Sequence, residues 1–246
     1  MKMKIKLDTH THTIASTHAY STVSELASEA AKKGLEAIAI TDHGPALPDA
    51  PHHWHFQNIK NIPREICGVK ILYGVELNIL DIDGNVDLEE DLLGKLDVVN
   101  ASIHGPAYKS GDEKDHTRAY EKIVTNPYVD IICHSGSPHY SYDYEKIIKL
   151  AKKHHKLMEI NNHSFYVRKK SIENCRKIAQ LCAENEVGIV VTSDAHICYD
   201  LGEYGHALDM LKEISFPEKL IMNRDFRSFE EFMSVRKPMF RWVMGE

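Results

Sequence analysis

Short apolar runs alternate along this chain with longer segments whose apolar residues recur at helical spacing. Lys4–Asp8 (KIKLD) reads as a strand, and the Ala-, Glu- and Lys-rich stretch Thr22–Lys33 reads as a helix. Ser21 or Thr22 can cap that helix. Glu25 stands three residues after Thr22, as in a capping box, and Gly34 follows where a C-terminal cap glycine belongs. Further strands are expected over Glu36–Thr41, Val69–Leu77, Leu96–Ile103, Tyr128–Cys133, Leu157–Asn161 and Val187–Thr192. Helices are expected over Glu113–Val124, Tyr144–His154, Ser171–Asn185, Glu203–Ile214 and Ser228–Ser234.

Continuous apolar strands separated by amphipathic helices imply βαβ units and a parallel sheet covered on both faces. In 246 residues, this succession fits an α/β, TIM-like barrel, closed or nearly closed, as one domain over residues 1–246. A doubly wound open sheet is the alternative architecture. No glycine-rich phosphate loop follows any strand, which weakens a nucleotide-binding version of it.

Composition narrows the function. With 43% hydrophobic and 27% charged residues the chain is an ordinary globular one. A formal net charge of −6 argues against general nucleic-acid binding, yet leaves room for a small anion held by metal ions. Cys67, Cys133, Cys175, Cys182 and Cys198 are odd in number and form no CxxC, so reduced thiols are expected rather than a disulfide framework. The first residues lack a signal-peptide core, and no apolar run approaches the roughly 20 residues that span a bilayer, so a cytoplasmic protein without membrane association is expected.

The unusual feature is the presence of 16 histidines spread along the chain. Many fall at the C-terminal ends of the expected strands. His10 and His12 follow the first (DTHTH), His43 the second (TDHG), and Glu76 lies near the end of the third. His104, His134 and Asn161–Asn162–His163 end the next three, and Asp194 and His196 (SDAH) the last. In a parallel barrel those ends converge on one rim, where active sites lie. Neutral imidazole and carboxylate suit zinc, manganese or iron. In extended backbone His10 and His12 point to one face, as do Asp194 and His196. A carboxylate such as Glu76 can bridge two cations, and metals about 3.5–4 Å apart can bind a phosphate and activate water. Asp8 and Asp42, next to histidines, are read as acceptors that fix a ligand tautomer.

The DTHTH start, TDHG, the strand-three Glu, the single histidines after two strands, and SDAH resemble the PHP (polymerase and histidinol phosphatase) family. The strings ASTHAYST, AITDHGP, DAPHHWHF and EINN look like its YcdX-type phosphoesterase branch, and the resemblance covers essentially the whole chain. It implies a distorted (β/α)7 barrel with three divalent metal ions, usually zinc, with manganese or iron possible. Carried over, His10, His12, Glu76 and Asp194 would hold one metal, and Glu76 as the bridge with His104 and His134 a second. His18, His43 and His196 would hold a third; His18 lies in a loop and enters only through the resemblance. Glu76, Asp194 and His196 would serve catalysis directly.

His53 and Trp54 are taken as pocket residues touching substrate, and Arg168 as a bidentate phosphate ligand. Lys169 and Lys170 are read as a solvated face. The expected activity is that of a metal-dependent phosphatase or phosphodiesterase acting on a small phosphorylated substrate through metal-bound hydroxide. The alternatives are an amidohydrolase-like enzyme cleaving a C–N bond, although no bridging lysine is seen, and a non-catalytic metal-binding module.

Overall fold

The computed structural model describes residues 3–109, 111–237 and 240. Its strands are β1 (Leu7–Thr11), β2 (Ala37–Ile40), β3 (Glu65–Ile66), β4 (Val69–Asn78), β5 (Val98–Ser102), β6 (Ile131–Ile132), β7 (Leu157–Asn161) and β8 (Ile189–Thr192). Its α-helices are α1 (Val23–Lys33), α2 (Trp54–Asn58), α3 (Glu90–Leu93), α4 (Glu113–Thr125), α5 (Tyr144–Lys153), α6 (Ser164–Val167), α7 (Ile172–Glu184), α8 (Gly205–Glu213) and α9 (Phe226–Arg236). The strands pair in parallel in the order β1-β2-β4-β5-β6-β7-β8, while β3 turns back antiparallel onto β4. This is the distorted (β/α)7, TIM-like barrel. The capping box on α1 forms as expected, with the Thr22 side chain accepting from the Glu25 backbone amide and Gly34 left-handed at φ 71°.

The barrel interior is graded along its axis. Positions of one parity run Leu72–Gly74–Glu76 on β4, Val98–Asn100–Ser102 on β5, Leu157–Glu159–Asn161 on β7 and Val190–Thr192–Asp194 through the end of β8. Their first members join one buried apolar cluster with Leu7, Ala37, Ala39 and Ile131. Their last members are polar and meet one another: Ser102 Oγ donates to Glu76 at 2.8 Å, and Asn161 Nδ2 to Asp194 at 3.0 Å. Phe226, Phe229 and Met233 of α9 close the apolar end. Arg236, the last residue of that helix, and Lys237 just after it pair at 2.7 and 2.6 Å with the buried carboxylate of Asp130.

Two departures from regularity matter for the rim. The first strand lies at Leu7–Thr11 rather than Lys4–Asp8, because the DTHTH segment is itself buried between its neighbours. Within it the register on β2 slips between Asp8 and Thr11, as at a β-bulge. Leu7 and His10 have opposite parity in a regular strand; the bulge lets Leu7 join the apolar interior while His10 meets Glu159 and Glu76.

The second departure is the seam between β1 and β8. The two strands meet at the rim through a Thr11–Ala195 bridge, with His12 N donating to Ala195 O at 2.9 Å. Lower down, the buried side chain of Asn223 bonds both: its Nδ2 donates to Leu7 O and Val191 O at 2.8 and 2.7 Å, and its Oδ1 accepts from Val191 N at 3.0 Å. Asn223→Leu keeps the volume and strands these buried backbone groups, so a loss of about 2–5 kcal/mol is expected in chemical denaturation. A change below about 0.5 kcal/mol would show that the seam does not need the amide.

Candidate metal centre

The rim is organised around Glu76, which is fully buried at the end of β4. Its backbone pairs with the segment after β2: Glu76 N donates to Asp42 O and Gly44 N donates to Glu76 O. Its two carboxylate oxygens face different groups. Oε2 lies 3.3 Å from His10 Nε2, 3.6 Å from His12 Nε2 and 2.8 Å from His43 Nδ1. Oε1 lies 2.7 Å from His134 Nε2 and 3.4 Å from His104 Nε2. Asp194 Oδ1 completes the first side, 3.5 Å from His10 Nε2 and 3.2 Å from His12 Nε2. The His196 ring stacks on His12 at 4.3 Å, and His18 stands 4.6 Å from His196 and 5.1 Å from His43, half-exposed at the mouth. His134 and Asp194 both take left-handed backbone, at φ 27° and 53°, a strained state for a side chain of this kind that tends to persist at functional sites.

The outer nitrogen of several rings is committed elsewhere. His10 Nδ1 donates to Glu159 at 2.6 Å, His104 Nδ1 to Asn78 Oδ1 at 2.8 Å, His196 Nδ1 to the Asp194 carbonyl at 2.9 Å, and His18 Nδ1 to Asp49. Each bond fixes the tautomer that leaves a lone pair on Nε2. Buried and without a hydrogen-bond partner stand His10 Nε2, His12 Nε2, His43 Nδ1 and Glu76 Oε2. His43 Nδ1 and Glu76 Oε2 are close, but they lack the alignment of a hydrogen bond. Leaving one such group unpaired costs about 1–3 kcal/mol, and here they converge. A divalent cation satisfies them together, so the donor set fits metal ions; three of the triplets these residues form have ligand atoms within 4.8 Å of one another.

The crowding shows in the protonation of the residues. Burial disfavours charge on His10, but Glu76, Asp194 and Glu159 outweigh it and hold its pKa well above the ordinary value. The same contest, between burial and Glu76, raises that of His43. Burial with neighbouring imidazoles pushes His12 down to about 3; burial likewise takes His104 to about 3, against the pull of Glu76. Glu76 and Asp194 are held well below the carboxylate range, their burial overcome by His10 and the rings around it.

Other sequence expectations fall differently. Arg168 lines the same cavity, and among the described residues it is the arginine that pairs with no carboxylate. His53 and Trp54 are not brought there. Trp54 is exposed, and the rings of both residues contact each other and His52. Asp8 and Asp42 touch no ligand ring: Asp8 accepts from the backbone of His10 and from Ser193, and Asp42 accepts from Thr13 and Ser16 and lies 3.2 Å from His55 Nε2. Lys170 is exposed, as expected, and also borders a cavity beside the histidines; the Lys169 side chain lies outside the described residues. The sequence reading passed over Glu159, which accepts from His10, the His134 amide and Thr192. A carboxylate inside an otherwise apolar strand was its visible signal.

The PHP domain family matches residues 8–163, more than half of the chain. This chain belongs to the PHP domain family. A protein of Acetivibrio thermocellus named "Probable phosphatase" is 45% identical over 97% of this chain and 99% of its own length. A protein of Thermoanaerobacter sp., also named a probable phosphatase, is 48% identical over 99% of each. A solved histidinol phosphate phosphatase of Lactococcus lactis subsp. lactis, complexed with zinc, L-histidinol and phosphate, covers 86% of this chain and 94% of its own. Its TM-score is 0.57 at 18% identity, a likeness of fold.

Two outcomes are expected of this PHP domain. Glu159→Gln weakens the acceptor that orients His10 and should lower metal affinity about 10–100-fold in chelator competition; unchanged affinity would sink that role. His10, whose pKa is held well above the ordinary imidazole value by the carboxylates around it, must give up a proton when a metal takes its Nε2. Zinc loading should therefore release on the order of one proton, and affinity should fall as pH drops. Calorimetry in buffers of different ionisation enthalpy checks this; heats independent of the buffer would contradict it.

Proposed function

We propose that this chain is a metal-dependent phosphoric ester hydrolase of the cytoplasm, acting on a small phosphorylated substrate through three metal ions, zinc in the first instance, held within one domain. The observation that carries the reading is the convergence of buried, unpartnered ring nitrogens and one Glu76 oxygen on the rim of the barrel. Family membership and the relatives' names supply the ester.

In this reading His10, His12, Glu76 and Asp194 hold one cation. Glu76 shares the second with His104 and His134, and His18, His43 and His196 hold the third. The opposed directions of the two Glu76 oxygens suit a bridge. When bound, the metals supply Lewis-acid charge for phosphate oxygens and lower the pKa of water. The protein's own groups do the rest. Arg168, lining the cavity with no carboxylate partner among the described residues, offers a planar fork to a phosphate oxygen pair. Asp49, Asn78 and Glu159 keep the rings turned, so that their Nε2 lone pairs meet the substrate side ready oriented.

Glu76→Ala tests this most directly. The variant is expected to lose at least one metal equivalent by elemental analysis, and about 10³-fold or more of phosphate release from p-nitrophenyl phosphate, the scale of removing an electrostatic stabiliser together with its cation. Wild-type metal content and rate in that variant would defeat the mechanism.

A further inference from the structure

The metal cavity opens sideways into a second one of about 580 Å³, and the two share His104, Gly105, His134, Val167 and Arg168. Beyond them this cleft is lined by His139, Tyr140, Tyr166 and Lys170. Ligand pockets span about 300–1,000 Å³, so the space exceeds what an inorganic phosphate requires and suits a sugar-sized group. The Tyr140 hydroxyl lies over the backbone directly after His104, since a Cβ added to Gly105 would come within 3.1 Å of it. The absent side chain at Gly105 thus leaves the passage from metal centre to cleft open beside that hydroxyl.

The charge of the cleft is one-sided. Arg168 and Lys170 line it together with three imidazoles, and no carboxylate is among its described lining residues. Among the described residues neither Lys170 nor His139 forms an ion pair, so both can meet a ligand in the cleft. A cationic concavity of this kind concentrates anions, and its low-dielectric walls strengthen the attraction.

We infer that the substrate is a phosphate ester whose alcohol portion carries a second anionic group, and that this cleft binds that portion, with Lys170 and His139 meeting the second anion and Tyr140 and Tyr166 its carbon frame. The inference rests on the phosphoesterase reading and adds the class of ester. An ester with a neutral alcohol leaves Lys170 without a partner; one with a carboxylate or second phosphate gains a charge-assisted contact.

The test uses matched esters and the metal-loaded protein. Glycerol 3-phosphate and 3-phosphoglycerate carry phosphate on the same kind of primary oxygen and differ in the added carboxylate. Fructose 6-phosphate and fructose 1,6-bisphosphate differ in a second phosphate. The wild type is expected to favour the doubly anionic member of at least one pair by tenfold or more in kcat/KM. Lys170→Glu, at an exposed position where folding is not at stake, is expected to reduce that preference about tenfold or more. Hydrolysis with no preference in either pair, or a preference that Lys170→Glu leaves within twofold, would overturn the inference while the phosphoesterase reading stands. Absence of hydrolysis of every ester by protein with its metals bound would overturn both.

Discussion

The rim of this barrel depends on one buried carboxylate. Glu76 lies wholly out of water among imidazoles, and an unpaired charge there would cost several kcal/mol. Its two oxygens face opposite groups of ring nitrogens, while its backbone amide and carbonyl pair with the segment that carries His43. One residue thus sets the charge of the site, divides its ligands into two sides and holds a neighbouring strand extension in register. The depressed pKa of Glu76 and the raised one of His10 follow from the same compression.

The rest of the barrel makes that burial possible. Interior positions are apolar at the strand starts and polar at the strand ends, so the lower half supplies a packed core and the upper half a polar cup. The bulge in β1 lets one short strand serve both levels. Asn223 completes backbone bonds that a regular barrel would close by strand pairing, and α9, tied down through Asp130, covers the apolar end. The bulge on the β2 side and the Asn223 bridge on the β8 side thus hold the first histidine segment from both flanks.

Orientation comes from a surrounding layer that is spread over the chain. Glu159, Asn78 and Asp49 each turn one imidazole, and each sits on an element other than that of its ring. The cleft beside them has the opposite charge character to the protein as a whole, which separates a carboxylate-rich metal floor from a cationic approach.

By itself the sequence determined the alternation of strands and helices, the capped ends of α1, and the placing of His10, His12, His43, Glu76, His104, His134, Asp194 and His196 near strand ends. These are local properties: periodicity decides the element, and parallel strands bring their ends to one rim. His18 was legible only through family likeness, because no local rule marks a loop histidine. Tertiary structure alone decided that Glu159, 149 residues from His10, would orient it, that Asn223 would bridge the seam, and that Lys170 would line a cleft while Trp54 stands exposed. Each depends on which distant backbone ends up beside a side chain, and neither propensity nor spacing carries that information.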